Sequence, residues 1–217
     1  MITETVSHDV MSRLRAETAV HHQRAELGEL EQALAAGSLP LAAFVRLLEQ
    51  RYCVHRNLER RMQALAARHS VVGQIAPERL FQEENLRADL LHFGVDPASV
   101  SPLPATAGLC ATIERLAAEN PLALLGCYYV FEGSKNGSRF IAKRLRPAYG
   151  LDQDGMRYLD PHGEEQRALW LEFKQRMNAA GFGPSDQNAM VAAAQATFEG
   201  VAALDAEIYA LVAPRRG

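Results

Sequence analysis

Cysteine is scarce in this 217-residue sequence and follows no recognisable pattern. Cys53, Cys110 and Cys127 are an odd number, contain no C-x-x-C pair, and each stands in an apolar helical context. Such a set argues against a disulfide framework. We therefore expect three reduced thiols in the core of a cytoplasmic protein.

Excess basic charge and long apolar runs are also missing. The formal net charge is -3, so the chain has no general basic field for nucleic acid. No apolar run approaches a membrane span, and the start "MITETVSHDVMSRLR" lacks the basic and apolar regions of a signal peptide. No glycine fingerprint for a nucleotide follows any strand pattern. We expect no nucleic acid, membrane or bound nucleotide among its partners.

The alternation of apolar and polar residues that marks a half-buried strand is absent as well. Nearly every segment has helical periodicity instead, and the 48% hydrophobic content is enough for a full core. The prediction is an all-α, multi-helix bundle that forms a single domain over residues 1–217. Helices are predicted at about Val6–Ala35, Leu39–Arg68, Pro77–Phe93, Ala105–Ala118, from an Asn120 cap to a break at Pro147, Glu164–Ala180 and Ser185–Leu211.

Glycine, by contrast, is present where a helix should avoid it. The segment "YYVFEGSKNGSRFIAKRL" carries Gly133 and Gly137 in its interior, and Gly126 lies two turns earlier. Each interior glycine costs a helix roughly 1 kcal/mol relative to alanine. Steps of seven and four residues place all three on one face. Two explanations are open here: another helix packs closely on the bare backbone, or a flat ligand lies against it.

A second pattern stands in the first helix. In "LRAETAVHHQRAE", Leu14, Arg15, Thr18, His22 and Glu26 form an L-R-x-x-T-x-x-x-H-x-x-x-E pattern. This pattern resembles the proximal helix of the biliverdin-producing haem oxygenases. The glycine segment resembles the kinked distal helix of their bacterial branch, with its E-G-S-x-x-G run. Further segments, "LEQRYCVHRNLE", "NLRADLLHFG" and "AAAQATFEGV", follow in the family's order, so the likeness spans residues 14 to about 200 and implies a haem-oxygenase-like bundle.

By that resemblance His22 is the ligand of the haem iron. Apolar periodicity alone favours His21, which is more central on the apolar face, and the two imidazoles point about 100° apart. The motif favours His22, because the other motif positions come into register only with it. For either histidine the structural alternative is a core side chain held by hydrogen bonds.

The resemblance places the distal face of the haem on the glycine helix. Gly133 and Gly137 would let the helix approach the porphyrin, which directs dioxygen toward one meso carbon. Ser134 stands where animal relatives have an aspartate that organises distal water, and bacterial relatives share the serine. His55 falls where many relatives have a pocket tyrosine, and it either joins the water network or faces solvent.

Other side chains are assigned to the rest of the haem. Arg15 lies toward the same side as His22 and would pair with a propionate. Tyr128 and Lys174 match propionate positions of the family, with Arg139 and Lys143 as competitors. Lys135 and Asn136 replace a commoner pair, which leaves the position of ring opening undetermined. The predicted haem-binding set is Arg15, Thr18, Tyr128, Lys174 and Phe198, although Phe198 also suits an ordinary core position.

The resemblance implies a haem oxygenase that uses haem as substrate and cofactor and produces biliverdin, carbon monoxide and ferrous iron. Electrons would come from a ferredoxin or a flavoprotein reductase, and a bilin acceptor could take the product. The alternative is a non-catalytic haem carrier on the same fold. A third hypothesis is that the protein is a thiamin-type hydrolase or a di-iron oxidase of the wider helical superfamily. Di-iron sites need several inward carboxylates with E-x-x-H pairs, whereas this chain offers a D-x-x-H pair, Asp89 and His92.

Overall fold

The structure is a computed structural model that describes residues 9–212. Within that range the chain is helical and contains no strand, as predicted from the periodicity. The α-helices are α1 (Val10–Glu17), α2 (Ala19–Glu26), α3 (Glu29–Ala36), α4 (Leu41–Ala66), α5 (Ser70–Ile75), α6 (Glu83–His92), α7 (Pro104–Glu119), α8 (Leu124–Tyr149), α9 (Gln166–Ala179) and α10 (Pro184–Val212). Short 3-10 turns stand at Glu78–Leu80, Pro97–Ser99, Pro121–Ala123 and Gly163–Glu165.

The predicted first helix is divided into three. The backbone of Thr18, at φ -104° and ψ 0°, departs from ideal α-helical values and separates α1 from α2, and its hydroxyl donates to the carbonyl of Leu14 at 2.6 Å. A second break follows where Gly28 is extended. The predicted left-handed cap at Gly37 is confirmed, with φ +71°. The expected start at Val6 lies outside the described residues.

Two other helix boundaries were predicted wrongly. The segment from Pro77 to Phe93 contains only a 3-10 turn and α6, because Phe81 is extended between them. Pro147 does not interrupt α8, which continues to Tyr149 and ends at a left-handed Gly150. Proline removes one backbone donor, and this loss is tolerated within the last turn of the helix.

The long helices α4, α8 and α10 form the centre of the bundle, with the shorter helices around them. Gly126 lies at the crossing of α8 and α10, where an added Cβ would stand 2.0 Å from the carbonyl oxygen of Met190. For this glycine the close helix packing is therefore the correct explanation. In the described part of the chain no helix is long and apolar enough to cross a bilayer.

The three cysteines are free thiols, with Cys53 and Cys127 buried and Cys110 half-buried. Burial raises the pKa of Cys110 and of Cys127 to about 11. A thiol with such a pKa carries almost no thiolate at neutral pH, and the thiolate is the nucleophile. These positions therefore suit core packing and not a cysteine-dependent hydrolase.

Candidate functional site

Two cavities meet at His22. The first, here called the α2–α8 cavity, has a volume of about 330 Å³ and lies between α2 and the glycine segment of α8, with walls from α3, α4 and α10. The second, the α1–α9 cavity, has a volume of about 720 Å³ and lies between α1, α2 and α9. His22 borders both. The two cavities are therefore adjacent at this imidazole.

The other two glycines on this face of α8 are not packed closely against another helix. Gly133 and Gly137 line the α2–α8 cavity. A Cβ at Gly137 would meet nothing within 4 Å, and one at Gly133 would stand 3.4 Å from the indole of Trp170. Unlike Gly126, these positions are not required by helix packing. The helix therefore presents bare backbone to the cavity at a cost in helix propensity.

His22 and His21 have different surroundings, as expected from their angular separation. The side chain of His22 is 55% exposed, and its Nδ1 lies 3.3 Å from Oε2 of Glu26, one turn later. This leaves Nε2 free, in the arrangement by which a carboxylate orients a histidine ligand. His21 turns to α10, with Nε2 3.4 Å from the carboxylate of Glu199. The structure therefore places His22 on the cavity wall, while its role as a ligand stays a prediction.

Phe198 of α10 packs edge-on against His22, with ring centroids 5.5 Å apart. Its side chain is 8% exposed and lines the α2–α8 cavity, so it belongs both to the core and to the cavity wall. Thr18 is buried and donates its hydroxyl to the backbone of α1. Thr18 stands at the break between α1 and α2 and also lines the α1–α9 cavity, and its role in haem binding stays a prediction.

Two of the cationic side chains predicted to bind propionate line the α1–α9 cavity. Arg15 and Lys174 both line it, and the Nζ of Lys174 lies 5.8 Å from the centroid of Trp170. The other two candidates for binding propionate, Arg139 and Lys143, do not line this cavity. Arg139 lies over the ring of Phe140, and Lys143 is exposed. Arg15 and Lys174 are therefore the pair that an anionic ligand in this cavity would meet.

The structure places Tyr128 and its neighbour Tyr129 in opposite environments. Tyr128 is 4% exposed, packs against Phe81 and Phe173, and its hydroxyl has no hydrogen-bond partner within residues 9–212. Burial, followed by nearby Glu132, raises the pKa of Tyr128 well above its ordinary value. Tyr129 lines the α1–α9 cavity. The spacing favours Tyr129, because it lies four residues before Gly133 on the same face of the helix, whereas Tyr128 points away from that face.

The polar groups of the glycine segment are mostly bound to their own helix. The hydroxyl of Ser134 donates to the carbonyl of Phe131 at 2.9 Å, and the amide of Asn136 donates to the carbonyl of Gly133 at 2.9 Å. Lys135 is buried, and its Nζ donates to Glu132 at 2.7 Å and to the carbonyl of Leu80 at 2.9 Å. Each of these groups therefore donates at least one hydrogen bond within the protein.

His55 lies on the cavity wall and does not face solvent, since it is 3% exposed. Its Nδ1 donates to Oε1 of Glu59 at 2.9 Å, and its Nε2 lies 3.4 Å from the hydroxyl of Tyr158. Glu59 also accepts hydrogen bonds from the backbone N–H groups of Gln82 and Glu83. The imidazole is thus held from both sides.

A buried group of charges on the same wall was not found from the sequence. The Nη2 of Arg51 lies 2.8 and 2.9 Å from the carboxylate oxygens of Asp205, and 3.9 Å from Oε1 of Glu31. Burial, followed by repulsion from Asp205, raises the pKa of Glu31 to about 7. No local pattern could have identified the group, because Arg51 and Asp205 are 154 positions apart.

The D-x-x-H pair does not converge. Asp89 is buried and accepts hydrogen bonds from the backbone N–H groups of Arg157 and Tyr158, at 3.0 and 2.8 Å. His92 is exposed and packs against the ring of Phe93. Burial raises the pKa of Asp89 to about 6. This carboxylate has a structural role in holding the loop before α9.

Comparisons with known proteins identify the family and the fold of this chain. The family model described as Heme oxygenase matches residues 8–204, and the chain therefore belongs to the haem oxygenase family. Similarity at the sequence level is otherwise low, and a search of curated proteins gives no match.

Solved structures show the same fold. A heme oxygenase from Leptospira interrogans has a TM-score of 0.84 and 20% identity, covering 92% of this chain and 100% of that one. Heme oxygenase-1 from the cyanobacterium Synechocystis, solved in complex with heme, has a TM-score of 0.85 and 20% identity, covering 94% of both chains. A TenA homologue from P. horikoshii also shares the fold, with a TM-score of 0.71, 14% identity, and 94% and 99% coverage. The bundle alone does not specify the ligand, so the function must be inferred from the residues of the site.

Proposed function

We propose that this chain is a haem oxygenase that binds haem between His22 and the Gly133–Gly137 backbone and opens the ring to biliverdin, carbon monoxide and ferrous iron. The observation that carries the proposal is the pairing of a free imidazole nitrogen with a side-chain-free helix face across one cavity. The Synechocystis relative, which was solved with heme, supports the same ligand class. When bound, haem supplies the iron for dioxygen chemistry and the ring carbon that is oxidised.

The residues present fit an iron porphyrin. A neutral imidazole is a haem ligand, and the carboxylate of Glu26 beside Nδ1 orients it. The space at Gly137, where a Cβ would meet nothing within 4 Å, accepts a flat ring close to the backbone. The cavity walls near the ring are largely apolar, as expected for a planar hydrophobic ligand.

The propionates would lie in the α1–α9 cavity. Arg15 and Lys174 supply positive charge there, and Tyr129 supplies a hydroxyl. Burial raises the pKa of Tyr129, so this hydroxyl stays protonated and can donate. The chain would thus orient the ring by charge at one end and by shape at the other. Electrons come from an external donor, a ferredoxin or a flavoprotein reductase, in the cytoplasm.

One experiment separates the enzyme from a haem carrier. Hemin is added to the purified protein and the Soret band is recorded, after which a reductant is added in air. The enzyme is expected to lose the Soret band while biliverdin absorbance grows. A Soret band that persists under these conditions supports a carrier, and the absence of any Soret band overturns both.

A further inference from the structure

The α2–α8 cavity contains a polar end that the haem-binding residues leave unused. Glu31 of α3, Arg51 of α4 and Tyr158 of the loop before α9 all line it. Asp205 of α10 stands behind Arg51. The rest of this end is apolar, with Leu34, Leu47, Ile141 and Val201 in the wall. Charged groups in such a place need a functional or structural reason.

Two carboxylates, those of Glu31 and Asp205, lie near the single cation of Arg51. Arg51 is 5% exposed, and its Nη2 contacts both carboxylate oxygens of Asp205, at 2.8 and 2.9 Å, so the two charges of this pair neutralise each other. Glu31 remains 3.9 Å from Nη2, and its side chain, 28% exposed, forms part of the cavity wall. Two neighbouring carboxylates that share one cation do not both ionise easily. One proton is therefore held on this wall, and Glu31 is the member in contact with the cavity.

Several other donors on this cavity wall are already hydrogen-bonded within the protein. The hydroxyl of Ser134 donates to Phe131, Lys135 is paired with Glu132, and Nδ1 of His55 donates to Glu59. Burial raises the pKa of Tyr158 to about 12, which makes its hydroxyl a weak acid. Reduction of dioxygen to water consumes protons as well as the electrons of the external donor. Oxygen reduction in this cavity therefore requires a group that can donate a proton near neutral pH.

We propose that Glu31 is the proton donor for oxygen reduction in this cavity, with Arg51 and Asp205 positioning it. This inference rests on the proposed function. In each transfer the Glu31 carboxyl gives its proton to water or to a reduced oxygen group in the cavity and becomes a carboxylate. The carboxylate is stabilised by Arg51, whose Nη1 has no hydrogen-bond partner in the described part of the chain. Solvent then returns the proton.

The titration of Glu31 follows from all the charges that face it. Arg51 from α4 favours the carboxylate, whereas Asp205 from α10 and Glu26 from α2 favour the protonated acid. Burial adds to the second effect and is the largest cause, which places the pKa at about 7. An acid with this pKa is both half-protonated at neutral pH and able to release its proton, which is the condition for efficient general acid catalysis.

The first test uses the protein without hemin. Glutamate labelled with ¹³C at the carboxyl carbon is followed by NMR through a pH titration of the wild type, Glu31→Gln and Glu29→Gln. Glu29 is exposed on the same helix and serves as the matched control. One resonance is expected to titrate near pH 7 in the wild type and in Glu29→Gln, and to be missing in Glu31→Gln. If every glutamate titrates at its ordinary pH, the proposal is overturned.

The second test uses hemin and a reductant in air. Glu31→Gln is expected to keep the wild-type Soret band but to form biliverdin at least about 10-fold more slowly at pH 7. The wild-type rate should fall above pH 7, and this limb should be absent from the profile of Glu31→Gln. Glu31→Asp, which restores an acid, should recover part of the rate. An unchanged rate and pH profile in Glu31→Gln would overturn the role of Glu31 alone, whereas a wild type that forms no biliverdin overturns the proposed function and this role together.

Discussion

The Nη2 of Arg51 contacts both carboxylate oxygens of Asp205, at 2.8 and 2.9 Å, in an ion pair between α4 and α10 beside the α2–α8 cavity. Both side chains are nearly inaccessible, so neither charge is solvated by bulk water. Burying such a pair is costly, and its retention is not explained by stability alone. The pair stands beside Glu31, where it sets the charge of the cavity wall. Its stability contribution and its effect on Glu31 can be separated by substitution.

Breaking this pair should destabilise the protein strongly. Asp205→Ala leaves the Arg51 cation buried beside a single distant carboxylate, and loss of one partner of a buried pair costs roughly 3–5 kcal/mol. The double variant Arg51→Met, Asp205→Leu removes both charges and should recover most of that loss. Unfolding in urea measures both. An Asp205→Ala variant within about 1 kcal/mol of the wild type would contradict the burial seen here.

His22→Ala should abolish the normal hemin spectrum, because it removes the free imidazole nitrogen at the meeting point of the two cavities. Imidazole added to this variant should restore a histidine-like Soret band by occupying the vacated space. His21→Ala is the matched control, since His21 turns toward Glu199 on α10. It should keep the wild-type spectrum. The opposite pair of results would move the ligand by one residue.

The glycines of α8 should respond in opposite ways. At Gly137 a side chain meets open space, so Gly137→Leu should raise the free energy of unfolding by up to about 1 kcal/mol through helix propensity. The same side chain would occupy the cleft and should weaken hemin binding about 10-fold or more, as overpacking does. Gly126→Ala should instead lower the melting temperature sharply, because its Cβ would stand 2.0 Å from the Met190 carbonyl oxygen. Hemin titration and thermal unfolding of both variants check this contrast.

The tyrosine pair offers a test of the propionate end. Tyr129→Phe should weaken hemin binding, by about 5-fold or more if its hydroxyl donates to a charged propionate. The effect should vanish with hemin dimethyl ester, which lacks the carboxylates. Tyr128→Phe should leave hemin affinity unchanged, since Tyr128 is buried and lines neither cavity. A larger loss of hemin affinity in Tyr128→Phe than in Tyr129→Phe would instead support Tyr128 as the propionate partner, as predicted from the sequence.

The sequence predicted those features that depend on local order. Helical periodicity gave the all-α class, and the two motifs brought His22, Gly133 and Gly137 to one cavity. The sequence could not show that Gly126 serves helix packing while Gly137 borders open space. The two glycines differ only in whether a residue of α10 lies opposite them. The same holds for Glu31, whose role depends on partners from α4 and α10. Residue spacing predicts which side chains share one face of a helix. Which residues of other helices lie opposite that face depends on how the bundle packs.

Glu31 should also make stability depend on pH. Its pKa is about 7 in the folded protein and near 4.5 when the chain is unfolded, so the folded state holds an extra proton between these values. Raising the pH through this window removes that proton and lowers the stability of the wild type. Glu31→Gln lacks the group, and its free energy of unfolding relative to the wild type should therefore increase by roughly 1–3 kcal/mol from pH 5 to pH 8. Urea unfolding at several pH values, with Glu29→Gln as the control, measures the difference, and a gap that stays constant with pH would show that Glu31 is ionised throughout.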